Sequence, residues 1–134
     1  MQLVNKEFTK DLTLVQLQAS MPKKFRHNVT EDMVKFINAT EGDEFRDIYK
    51  ENLLGFSDVM QLGRYGMTEY LNAVKFVSYK LLGDSNTIAY AKVFPDRYQR
   101  LVDKNTPMKT ISSFSTTYNK GALVHKILER TLVP

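Results

Sequence analysis

The chain has 134 residues and a formal net charge of +4, with 43% hydrophobic and 25% charged residues, which is enough apolar content to bury a core without covalent staples. It has no cysteine, which excludes a disulfide framework, a thiolate metal site and a thiol nucleophile. No apolar run approaches the roughly 20 residues of a membrane span, and the first residues lack the charged-then-apolar order of a signal peptide. The expected setting is therefore the cytoplasm, with no membrane partner.

Apolar residues recur at three and four throughout, and strand-like alternation is scarce, so the expected fold is all-α, a compact helical bundle. Residues 8–20 place Phe8, Leu12, Val15 and Leu17 near one face of a first helix. Met21-Pro22-Lys23-Lys24-Phe25-Arg26-His27-Asn28 reads as a loop with a basic cluster. Thr30 is placed to cap a short helix that buries Met33, Val34 and Ile37. After Glu41-Gly42-Asp43, the spacing of Phe45, Ile48, Tyr49, Leu53, Phe56, Val59, Met60 and Leu62 predicts one long helix over 43–62, bent at Gly55. Gly63-Arg64-Tyr65-Gly66 stops it, which divides the chain into an N-terminal helical region, 1–66, and a C-terminal region, 67–134.

The second region is more tightly punctuated. Thr68 is the expected cap of a helix burying Leu71, Val74, Phe76, Val77 and Leu81, with Gly83 at the left-handed position after it. Asp84 or Ser85 caps the next helix, with Ile88, Ala89, Ala91 and Val93 inward, and Pro95 ends it. Residues 96–103 form a short helix with Tyr98, Leu101 and Val102 inward. Thr106-Pro107 reads as a cap followed by proline at the first helical position, opening a helix over 107–119 whose apolar face is Met108, Ile111, Phe114 and Tyr118. Lys120-Gly121 is a turn, and Ala122, Leu123, Ile127 and Leu128 line a last helix.

Charge is distributed unevenly. Residues 1–64 hold nine Lys/Arg and ten Asp/Glu; residues 65–134 hold ten and five. A basic, helix-dense C-terminal half is the pattern of a polyanion-binding lobe of helix-turn-helix type, in which a late helix enters the DNA major groove. The candidate groove residues are Lys109, Thr110, Ser112, Ser113, Thr116 and Lys120, because short hydroxyl side chains with lysine suit close approach to phosphates and base edges. Arg97, Arg100 and Lys104, at i, i+3 and i+7, are the candidates for holding phosphates.

Catalytic signatures are absent. His27 and His125 stand alone, no phosphate-cradling or nucleophile-elbow glycine pattern occurs, and the acids Glu41, Asp43, Glu44 and Asp47 lack the order of a calcium loop. The expectation is a non-enzyme with no cofactor and no metal.

The run Phe76-Val77-Ser78-Tyr79-Lys80-Leu81-Leu82-Gly83-Asp84-Ser85-Asn86-Thr87-Ile88-Ala89-Tyr90 resembles the opening of the DNA-binding domain of bacteriophage terminase small subunits. In that family a glycine-bearing turn leads into a helix with an asparagine, a threonine and an alanine in the places that Asn86, Thr87 and Ala89 occupy here. Residues 113–129, with Tyr118-Asn119-Lys120-Gly121-Ala122-Leu123-Val124, resemble the family's later segment. The likeness covers about residues 70–131. It implies recognition of viral double-stranded DNA, delivery to a terminase large subunit, homo-oligomerisation and no catalysis. The segment 95–105 is longer than the family's turn. The family's oligomerising helices follow its DNA-binding domain, whereas here residues 1–66 would take that role, unless the chain, with its apolar end Thr131-Leu132-Val133-Pro134, is cut from a longer protein. A second reading is a protein-binding adaptor or transcription regulator acting on a polymerase or another phage or host protein. Its anchors would be Phe45, Tyr49, Phe56, Met60, Tyr65, Met67 and Tyr70.

Overall fold

The computed structural model describes residues 11–132. The fold is all-α: the described residues form eight α-helices and two 3-10 helices, with no strand among them. They divide into two compact units, one ending at Thr68 and the other beginning at Glu69.

In the first unit, α1 spans Leu14–Ser20 and starts at a capping box: the Thr13 hydroxyl accepts from the Gln16 N–H at 3.1 Å, and the Gln16 side chain accepts from the Thr13 N–H at 2.9 Å. That box starts the helix later than the spacing over 8–20 suggests; residues 8–10 lie outside the described residues. It also turns Val15 to solvent, 72% exposed, while Leu12, Leu17 and Met21 are buried. The expected loop with the basic cluster is a 3-10 helix, Lys23–Asn28, packed on α1. Helix α2, Glu31–Asn38, is capped by Thr30 as the sequence indicates and buries Val34 and Ile37. The Asn38 amide then ties α2 to the chain before α1, accepting from the Leu12 N–H and donating to the Leu12 carbonyl, both at 2.9 Å.

The long helix expected over 43–62 is two elements: α3, Asp43–Gly55, and a 3-10 helix, Ser57–Leu62. The Phe56 N–H closes α3 on the Asn52 carbonyl. The buried Ser57 then donates its hydroxyl to the Ser20 carbonyl at the end of α1, a contact that a continuing helix would not make. Tyr49, Leu53, Val59 and Met60 are fully buried, whereas Leu62 is exposed.

The second unit contains most of α4, Met67–Leu81, followed by α5, Asn86–Val93, α6, Pro95–Asp103, α7, Met108–Asn119, and α8, Ala122–Thr131. Helix α4 starts one residue before Thr68, which is therefore inside the helix and not its cap. Tyr70, Val74, Phe76 and Val77 are buried, but Leu81 is exposed because the helix is ending there. Gly83, with φ +109°, closes it: its N–H bonds the Lys80 carbonyl and the Asp84 N–H bonds the Tyr79 carbonyl. Ser85 caps α5 by accepting from the Ile88 N–H. The inward residues of α5 are Ala89, Tyr90 and Val93, with Ile88 exposed and Ala91 half-buried, contrary to the expected stripe.

Pro95 separates α5 from α6 by serving as the first residue of α6. The same closing motif recurs after α6, with Asn105 in the left-handed region at φ 58°, its N–H on the Val102 carbonyl and the Thr106 N–H on the Leu101 carbonyl. Thr106 thus belongs to the end of α6, and Pro107 is the cap residue of α7, one place earlier in the helix than expected. Val102 is exposed, and no residue of α6 is fully buried. Helix α5 packs against both α6 and α7, and α8 packs on α7.

Candidate nucleic-acid interface

Helix α7 is positioned from its inner side. Ile111 is 1% exposed and Ser115 is fully buried, with its hydroxyl bonded to the Ile111 carbonyl at 3.0 Å. Tyr118 stands at the centre of an aromatic cluster. Its ring lies 4.9 Å from Phe76 of α4 and 5.1 Å from Phe94, both edge-on, and 6.1 Å from Tyr90 of α5. The next residue, Asn119, accepts a 2.6 Å hydrogen bond from the Lys80 ammonium of α4. Burial raises the Tyr118 pKa above its ordinary value, outweighing the nearby Arg97 charge, and lowers that of Lys80.

The buried stripe of α7 is therefore Ile111, Ser115 and Tyr118, not the expected Met108, Ile111, Phe114 and Tyr118. Met108 is 57% and Phe114 45% exposed. Ser115 on α7 and Ala89 on α5 are both fully buried, and the two helices pack on each other.

At about 100° per residue, this stripe leaves Lys109, Ser113, Thr116 and Lys120 in one row on the opposite side of α7. Lys120 continues the row because it keeps helical backbone angles as the C-cap. Thr110 and Ser112 flank the row on either side. Five of these six side chains are exposed, and Thr116 is half-buried, with its hydroxyl donated to the Ser112 carbonyl at 3.0 Å. Ser112 and Ser113 make no side-chain hydrogen bond among the described residues.

Arg97, Arg100 and Lys104 lie along one flank of α6, all exposed. The Arg97 guanidinium stacks 4.3 Å over the Phe94 ring, which fixes one edge of it to the aromatic cluster that seats α7. Asp96 and Asp103 occupy the outer side of α6, and Asp103 accepts from the Gln99 amide at 2.8 Å. None of Arg97, Arg100, Lys104, Lys109 and Lys120 forms an ion pair with an acid among the described residues. Residues 104–128, including all of α7, contain no Asp or Glu, so the first turn of that helix carries no acid.

The parts of this arrangement that the sequence reading missed are those that hold α7 from behind: Phe94, Ser115, and the pair Lys80–Asn119. The run of aromatic residues at 76, 90, 94 and 118 was the available signal. Elsewhere, His125 lies exposed at 3.6 Å from Glu129, one turn away. Asp43 is in the first turn of α3 and pairs with Arg46 at 2.6 Å. Five of the seven residues considered as protein-binding anchors, Phe45, Tyr49, Met60, Met67 and Tyr70, are buried, and Phe56 and Tyr65 are half-buried. No protein-family model matches the chain, and no curated protein or solved structure matches it.

Proposed function

We propose that this chain is a non-catalytic DNA-binding protein similar in role to a phage terminase small subunit, recognising viral duplex DNA for packaging. The observation that supports it best is the outward row Lys109, Ser113, Thr116 and Lys120 on α7, inside a stretch free of acidic residues. On this reading α7 enters the major groove, where lysine and hydroxyl side chains reach base edges and phosphates. Arg97, Arg100 and Lys104 hold the backbone, with Arg97 kept in place by its stack on Phe94. A terminase large subunit and further copies of the chain are the protein partners this role entails.

The test is an anisotropy titration with duplex DNA at about 50 and about 200 mM salt, where neutralised phosphates make affinity fall steeply. Arg97→Ala with Arg100→Ala should reduce the slope of log affinity on log salt by about 2, at roughly 0.9 per phosphate contact. Absence of binding at the lower salt rejects the reading. The adaptor reading, with a polymerase or another protein as partner, draws its support from Ile88, Met108 and Phe114, apolar side chains of the second unit that face solvent. A partner recovered after nuclease treatment and lost on Phe114→Ser would favour it.

A further inference from the structure

The first unit carries a second cationic surface that the reading above leaves without a role. We propose that the 3-10 helix Lys23–Asn28 is an additional contact for the phosphate backbone of DNA, made by Lys23, Lys24, Arg26 and His27. This rests on the DNA-binding reading of α7 and extends it to the other unit.

Three observations carry the proposal. First, residues 12–30 contain no Asp or Glu, the longest such stretch in the chain after 104–128, in a half that otherwise holds six Lys/Arg against ten Asp/Glu. Second, all four side chains are exposed, and none pairs with an acid among the described residues. Helix α1, which packs on this segment, has no charged residue and so supplies no counter-charge. Third, the local geometry gathers the charges. With three residues per turn, Lys23 and Arg26 share one edge of the 3-10 helix, and Lys24 and His27 the next. Arg26 is anchored by its Nε, which donates to the Met21 carbonyl at 3.1 Å, while its two terminal amino groups have no partner among the described residues. The Lys24 ammonium lies 5.1 Å from the Phe25 ring centroid.

Adjacent like charges with no acid between them repel one another, and a polyanion relieves that repulsion. DNA fits this surface better than a lipid bilayer. Between residues 12 and 30 the only large apolar side chain exposed is Val15, so there is no apolar face to bury in a headgroup layer.

The experiment titrates the full chain with two duplexes of unrelated sequence over a range of salt, alongside anionic phospholipid vesicles. Lys23→Ala/Lys24→Ala/Arg26→Ala should weaken binding to both duplexes about equally, by about tenfold or more at low salt, and reduce the salt slope by about 2 to 3. Lys23→Ala/Lys24→Ala, which keeps the Arg26 anchor, should show about two-thirds of that slope change. Unchanged affinity and slope in both variants, while Lys109→Ala/Lys120→Ala weakens binding, overturns this proposal and leaves the α7 reading standing. Failure of the unsubstituted chain to bind either duplex rejects both readings. Vesicle binding that the triple variant abolishes, with duplex binding unaffected, reassigns the surface to anionic lipid.

Discussion

Tyr118 shows how one side chain links the core to the candidate interface. Its ring is held by Phe76, Tyr90 and Phe94, and Phe94 in turn carries Arg97 on its face. Because burial raises its pKa above the ordinary 10, folded and unfolded chains both keep the phenol proton below pH 10. Above that value the unfolded chain ionises first, so stability should fall as pH rises, with a limiting slope of about 1.4 kcal/mol per pH unit. Lys75 and Lys80 act in the opposite sense. Burial lowers both below 10.5, so the folded state sheds protons first and stability rises as pH approaches 10.5. The contributions separate in a comparison of urea unfolding from about pH 9 to about pH 11, where Tyr118→Phe should lessen the alkaline loss and leave the lysine-dependent rise. An identical decline in the two proteins would mean that the phenol is not the group responsible.

At the scale of the element, the packing of α7 decides which of its side chains face outward. Two apolar stripes are available in Met108–Asn119: one through Met108, Ile111, Phe114 and Tyr118, the other through Ile111, Ser115 and Tyr118. They differ in whether Met108 and Phe114 or Ser115 lie inside, and either leaves the row Lys109, Ser113, Thr116 and Lys120 outward. Ile111→Ala should therefore cost about 2–5 kcal/mol, the range for a buried large-to-small change. Phe114→Ala should change stability by about 0.5 kcal/mol or less, as for surface positions away from packing. Chemical denaturation of the two variants distinguishes the stripes, and a large loss at Phe114 would place that side chain inside. The sequence could not make this choice because both stripes fit helical spacing. The packing of α5 on α7 and the ring of Phe94 on Tyr118 make it, and both partners lie outside α7. The break at Gly55 has the same origin, since Phe56, Val59 and Met60 fit one continuous helix until Ser57 finds the Ser20 carbonyl. Some signals that act within one turn were legible, namely Thr30 as a cap, a cap at Asp84 or Ser85 (it is Ser85) and Gly83 as a left-handed stop, whereas Thr68 and Thr106 are not the expected caps.

At the scale of the whole chain, helical class could be read from spacing, because it is a property of many residues together. The exposed positions of eight of the nine candidate side chains, all but Thr116, follow from the same logic, since polar residues on an amphipathic helix face water. The packing that makes two cores could not be read, because it depends on contacts distant in sequence, such as Asn38 to Leu12 and Lys80 to Asn119. Each unit has its own set of fully buried side chains: Leu17, Ile37, Tyr49, Leu53, Val59 and Met60 in the first, and Tyr70, Val74, Phe76, Ala89 and Ile127 in the second. A cavity in one core removes contacts only from the helices that line it. Leu17→Ala should then cost about 2–5 kcal/mol within the first unit and speed hydrogen exchange in α1, α2 and α3. Ile127→Ala should do the same in α7 and α8. Peptide-resolved exchange of the intact chain reads the two patterns side by side. If Leu17→Ala accelerated α7 as much as α1, the two cores would unfold as one, and loss of DNA binding in a first-unit variant would no longer report on its surface alone.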